Sequence, residues 1–187
     1  MIPPLAPTFD AALRDVRAQQ PRFRGAAAVR LAEPPDERRD EAVQGLLTLA
    51  KDDSGAVREA AFESLGTLGA AEALQTLLDG FDDPHMGARQ AAVLATGRVA
   101  PEEGVGAIAA VLDDPRPEMR FSAIWALSYL GAGHASRIAE GLRDRDEEVR
   151  VLAVECLGEL GATDGQGPEQ SLQKAALLQP AETRSIR

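Results

Sequence analysis

The sequence predicts an all-α chain, an α-solenoid of about five helical hairpins closed by one further helix. An arginine recurs at a near-constant interval, and an apolar stripe of helical period accompanies each copy. A second apolar stripe precedes each arginine at a fixed offset. Aromatic residues make up 4% of the 187 positions while Ala and Leu abound, so the core is built from small residues. That composition suits helix on helix and argues against a β-sandwich.

The arginines are Arg24, Arg58, Arg89, Arg120 and Arg150, separated by 34, 31, 31 and 30 residues. Immediately before them stand Phe23, Val57, Ala88, Met119 and Val149. Three residues beyond come Ala27, Ala61, Ala92, Ala123 and Ala153, and seven beyond come Leu31, Leu65, Thr96, Leu127 and Leu157. Together they form one stripe of the second helix in each pair. The first helices carry four columns at i, i+3, i+4 and i+7. Phe9, Val43, Leu74, Val105 and Ala135 form the first, and Ala12, Leu46, Leu77, Ile108 and Ile138 the second. Leu13, Leu47, Leu78, Ala109 and Ala139 form the third, and Val16, Ala50, Phe81, Leu112 and Leu142 the fourth.

In order, the hairpins span 8–32, 37–69, 70–100, 101–131 and 133–161, within a single solenoid over 1–161. Gln20-Pro21 forms the first internal turn, and the extra residues Glu33-Pro34-Pro35-Asp36 account for the longer first spacing. Asp52-Asp53-Ser54-Gly55, Asp82-Asp83-Pro84, Asp113-Asp114-Pro115 and Asp144-Arg145-Asp146 turn the other four, with carboxylates placed to cap the following helix. Gly69, Gly131 and Gly161 are expected as left-handed C-caps. Residues 162–180 are expected to form a capping helix opened by Pro168. Its Leu172, Ala175 and Ala176 repeat the first-helix columns, and polar Gln179 replaces the fourth. Residues 181–187 are expected to be a tail.

The formal charge is 20 − 30 = −10, which disfavours nucleic acid because phosphate binding needs clustered Lys and Arg. No apolar run reaches the roughly 18–20 residues of a membrane span. Met1-Ile2-Pro3-Pro4 lacks the features of a secretory signal, so a cytoplasmic location is expected. One cysteine, Cys156, excludes an internal disulfide framework and a Cys-rich zinc site.

The pattern Asp-Asp-Pro, Val-Arg, Ala-Ala and Leu-Gly resembles the HEAT repeat, in particular its short phycobilisome-lyase-type variant. The resemblance covers residues 8–161, and copies two to five carry it best. It implies a superhelix with the arginine-bearing helices on the concave side. It also implies a ladder joining Asp53, Asp83, Asp114 and Asp144 to Arg58, Arg89, Arg120 and Arg150, so these arginines are expected to be structural.

No catalytic residues, metal ligands or cofactors are expected. His85 and His134 are isolated and neither precedes a Glu, unlike the His-Glu pairs of HEAT-like di-iron hydroxylases. Cys156 sits between Glu155 and Leu157, where acidic neighbours disfavour a thiolate. The positions one, five and nine beyond each arginine point away from the core stripe. They are Glu59, Glu63 and Thr67 in the second copy, Gln90, Leu94 and Arg98 in the third, and Val151, Glu155 and Glu159 in the fifth. In the fourth they are Phe121, Trp125 and Tyr129, including the only Trp and the only Tyr.

These outward residues are the candidate partner-binding site: Phe121, Trp125 and Tyr129 as anchors, with Glu59, Glu63, Gln90, Leu94, Arg98, Glu155 and Glu159 around them. Packing of the rings against adjacent helices is the alternative. The expected function is a non-enzymatic scaffold or adaptor holding a basic or amphipathic protein segment. A bilin lyase-like subunit or chromophore chaperone is the second reading, on the resemblance alone. A HEAT-like nucleic-acid binder comes last because of the acidic charge.

Overall fold

The computed structural model describes residues 8–163, and side chains over 8–161. The described residues are helical, without a strand. Contacts gather into two compact units, Met1–Gly104 and Val105–Arg187. The first holds α1 (Phe9–Asp15), α2 (Pro21–Leu31), α3 (Arg39–Leu49), α4 (Gly55–Leu68), α5 (Leu74–Asp79) and α6 (Met86–Val99). Here α1 pairs with α2, α3 with α4 and α5 with α6, while α4 packs along both α2 and α6. Helix α7 (Pro101–Ala110) crosses the unit boundary. The second unit also holds α8 (Pro117–Tyr129), α9 (Ala135–Ile138) and α10 (Glu147–Thr163). In it α8 packs along α10, and the short α9 touches both before continuing as a 3₁₀ turn, Ala139–Arg143.

The arginine-helix stripe is the core. Ala27, Ala61, Ala92, Ala123 and Ala153 are buried, as are Leu31, Leu65, Thr96, Leu127 and Leu157. Buried Thr96 satisfies its hydroxyl by donating to the Ala92 carbonyl (2.8 Å). Close helix approach is visible at Gly80 and Gly141. A side chain at Gly80 would meet the Phe62 ring, and one at Gly141 would meet Ile124. Phe23 departs from the stripe: it is exposed, and the Arg22 guanidinium lies over its ring at 4.7 Å. It belongs to the first copy, so no earlier described repeat covers it.

Arg24, Arg58 and Arg120 each tie two turns together. Arg58 donates through Nε and Nη2 to both carboxylate oxygens of Asp83 (2.6 Å each), and through Nη1 to the Asp52 carbonyl of its own turn (2.7 Å). Arg120 does the same with Asp144 (2.7 Å twice) and the Asp114 carbonyl (2.9 Å). Arg24 grips Asp52 with the same fork and reaches Asp53 through Nη2. The aspartates also accept from the backbone two residues on: Ser54 N–H to Asp52 (2.9 Å), His85 N–H to Asp83 and Asp146 N–H to Asp144 (2.8 Å each). One carboxylate thus fixes the turn that leads into a helix and closes a repeat junction.

Two expectations are corrected, and a third falls outside the described residues. The second turn's ladder residue is Asp52 rather than Asp53, because the fork needs the carboxylate six residues before each arginine. The Asp53 side chain is largely exposed beside it. Gly161 does not cap a helix, since α10 runs on through it to Thr163, whereas Gly69 and Gly131 do adopt positive φ (63° and 98°). The capping helix expected over 162–180 and the tail over 181–187 lie outside the described residues beyond Thr163, the last residue of α10.

Removing one side of such a pair leaves the other charge buried. Asp83→Ala is expected to lower unfolding stability by about 3 kcal/mol in a urea titration. The pairs also set an acid limit. Burial alone would raise the Asp52 and Asp83 carboxyls, but their arginine forks and backbone donors outweigh it and hold both below the ordinary value. Arg120 does the same for Asp144, against a weaker opposing effect of burial. A folded value below the unfolded one of about 3.9 means stability that is present above it and lost as pH falls through the folded values. The thermal midpoint is therefore expected to fall steeply below about pH 4, and less steeply for Asp83→Asn.

Candidate functional site

The outward positions follow from helical geometry. With the stripe buried, a residue five or nine beyond the arginine lies on the opposite side of the helix. The nine-beyond residues Glu33, Thr67, Arg98, Tyr129 and Glu159 are all exposed. In the second unit this places Phe121, Trp125 and Tyr129 along one face of α8. Trp125 is 52% exposed and Tyr129 66%, and Phe121 is half-buried. The Phe121 and Trp125 rings lean on each other with centroids 6.1 Å apart and planes at 49°, a tilted pair that stiffens both. The partner helix α10 presents exposed Val151, Glu155 and Glu159 at the corresponding positions. The rings are therefore not absorbed into the core of their unit.

The remaining candidates form a separate polar group in the first unit, on the packed pair α4 and α6. Glu63 and Arg98 are exposed, and Glu59, Gln90 and Leu94 are half-buried. A Glu59 carboxylate oxygen stands 3.4 Å from His85 Nδ1, which also accepts the Ala88 N–H (3.4 Å) as the N-cap of α6. Burial and then the negative charge of Glu59 push the Glu63 carboxyl above its ordinary value, against the pull of Arg98. Two crowded carboxylates favour an added cation.

Other chemistry is sparse. Cys156 is buried. Desolvation first, with Glu159 and Glu155 adding to it against Ser128, pushes the thiol up and away from nucleophilic use. Among the described residues no three His, Cys, Asp or Glu side chains group as metal ligands. Likewise, no helix among them is long and apolar enough to cross a membrane. An open groove of about 380 Å³ runs between α1 and α3, lined by Leu13, Arg14, Arg17, Gln44 and Thr48. A second, of about 210 Å³, lies at Arg120, Ile124, Glu140 and Asp144. Neither is lined by the α8 rings. Val154 was not anticipated from the sequence: it is 47% exposed, although Ala28, Phe62, Val93 and Ile124 at the same repeat position are buried. Its place in the last arginine helix was the available signal.

Residues 9–96 match the family model for HEAT repeats. An E. coli protein, YibA, aligns at 18% identity over 91% of this chain and 72% of its own, with a TM-score of 0.67. A designed armadillo repeat protein in complex with the peptide (KR)4 aligns at 18% identity, covering 92% and 89%, with a TM-score of 0.54. The complex of CpcE and CpcF of phycocyanin lyase from Nostoc aligns at 17% identity, covering 100% and 92%, with a TM-score of 0.51. No curated protein matches the sequence. At these identities the likeness is one of fold: the chain has a HEAT-repeat α-solenoid fold, related to armadillo-type repeats.

Trp125 is the only tryptophan, so its emission reports the α8 face alone. Red-shifted fluorescence readily quenched by iodide or acrylamide is expected. Blue-shifted emission insensitive to quencher would place the ring in packing.

Proposed function

We propose that the protein is a non-enzymatic interaction scaffold whose α8–α10 face holds a basic or amphipathic protein segment. The observation that carries this reading is the ring face of α8, with Trp125 and Tyr129 exposed and Phe121 half-buried, on a chain otherwise poor in aromatics, beside Glu155 and Glu159 of the packed neighbour. Rings of this kind anchor interfaces because they bury much area at small entropic cost. The carboxylates supply steering and a polar rim for Lys or Arg side chains. The armadillo design seen with (KR)4 lends support, since a related fold there accompanies a basic peptide.

A bilin lyase-like or chromophore-chaperone role is the second reading, supported by the likeness to the phycocyanin lyase complex. It requires a tetrapyrrole-sized apolar cleft, and neither groove described above is lined by the α8 rings. Visible absorbance retained on the protein after incubation with a bilin would favour it over the scaffold.

Calorimetric titration with an alternating Lys–Arg octapeptide tests the scaffold reading. Binding is expected to weaken with salt. Trp125→Ala is expected to cost about 2 kcal/mol, or roughly 30-fold in Kd. Absence of binding, or equal affinity for Trp125→Ala, would contradict the proposed site.

A further inference from the structure

The outer positions of the first helices change sign along the chain. Five and eight residues beyond the first apolar column stand Arg14 and Arg17 in the first copy, and Thr48 and Lys51 in the second. The same positions hold Asp79 and Asp82 in the third copy, Ala110 and Asp113 in the fourth, and Glu140 and Arg143 in the fifth. A chain of net charge −10 thus sets three cations at the outer positions of its first two repeats. Arg14 and Arg17 are exposed and line the groove of about 380 Å³ between α1 and α3. Lys51, also exposed, follows Thr48 of the same lining by three residues. Among the described residues none of the three meets a carboxylate. Of the acids on α1 and α3, Arg38 holds Asp10 and Glu41, and neither Asp15 nor Asp40 lines the groove. The floor is formed by Leu13, Val16 and Gly45. A Cβ at Gly45 would already meet Leu31, so that strip stays bare.

We propose that this groove docks an acidic amphipathic protein segment, whose carboxylates pair with Arg14, Arg17 and Lys51 and whose apolar side chains lie on Leu13 and Val16. Unpaired cations around the groove call for an anionic partner. The apolar floor and the volume suit side chains rather than a bare ion. Local backbone polarity also opposes a compact phosphate. Arg14 stands in the last turn of α1, and Gln44, Gly45 and Thr48 stand in the second half of α3. Helix dipoles are negative at those ends, and the free backbone groups there are carbonyls rather than N–H donors. Long Arg and Lys stems reach past the carbonyls to carboxylates held farther out. This site shares no residue with the α8–α10 face and takes a partner of the opposite charge.

Fluorescence anisotropy of a labelled peptide, Glu-Leu-Leu-Glu-Glu-Leu-Leu-Glu, tests the site on the full chain. Saturable binding is expected, weakened about tenfold by Arg14→Glu combined with Arg17→Glu and unchanged by Trp125→Ala. Gln44→Lys adds a cation to the lining at an exposed position and is expected to tighten binding about threefold. Hexaglutamate, which has the charge without the apolar side chains, is expected to compete poorly, and inorganic phosphate not at all. No saturable binding, equal affinity for the double variant, or competition by hexaglutamate or phosphate as strong as by the unlabelled peptide would overturn the proposal. Loss of binding in Trp125→Ala would place the peptide on the α8 face and overturn it too. So would a wild-type dimer in sedimentation that the double variant loses, because a second copy would then be the occupant.

Discussion

The guanidinium of the repeat arginine makes two kinds of bond at once, and the local structure is organised around that double use. Its Nη1 satisfies carbonyls of its own turn, which would otherwise be half-buried acceptors without donors. Its Nε–Nη2 edge takes the carboxylate of the next turn, and that carboxylate also accepts a backbone N–H at the start of the next helix. Turn geometry and the junction between repeats therefore meet in one planar fork. Lysine, with a single point charge, cannot reproduce the bidentate geometry.

That geometry also frees the opposite side of each arginine helix. Once the alanines and leucines of the stripe are buried at close approach, the residues one, five and nine beyond the arginine contribute little to the fold. The same helix therefore carries Glu59 and Glu63 in one copy and Phe121 and Trp125 in another without changing its packing. Binding chemistry varies on a constant frame, which is how repeat folds separate stability from recognition.

Much of this was legible in the sequence because periodicity is a strong signal. Columns such as Ala27 to Ala153 are buried as their spacing predicts, and the outward positions are exposed or half-buried. What periodicity resolves poorly is a choice between adjacent residues. In Asp52-Asp53 both residues are carboxylates, and only the direction of the Arg24 fork makes Asp52 the buried partner. Phe23 and Val154 were missed for a related reason. Each matches its column, but burial at the first or last copy depends on a neighbour that the column itself does not contain. Gly161 resembles a C-cap by composition, yet helix α10 continues through it.

The most direct measurement is amide chemical-shift mapping on the full chain as an alternating Lys–Arg octapeptide is added. Peptide-dependent shifts concentrated at Phe121, Trp125, Tyr129, Val151, Glu155 and Glu159, with the Asp83 and Asp144 turns unmoved, are predicted. Shifts centred on the arginine turns, or spread evenly over the acidic surface, would contradict a recognition face separate from the ladder.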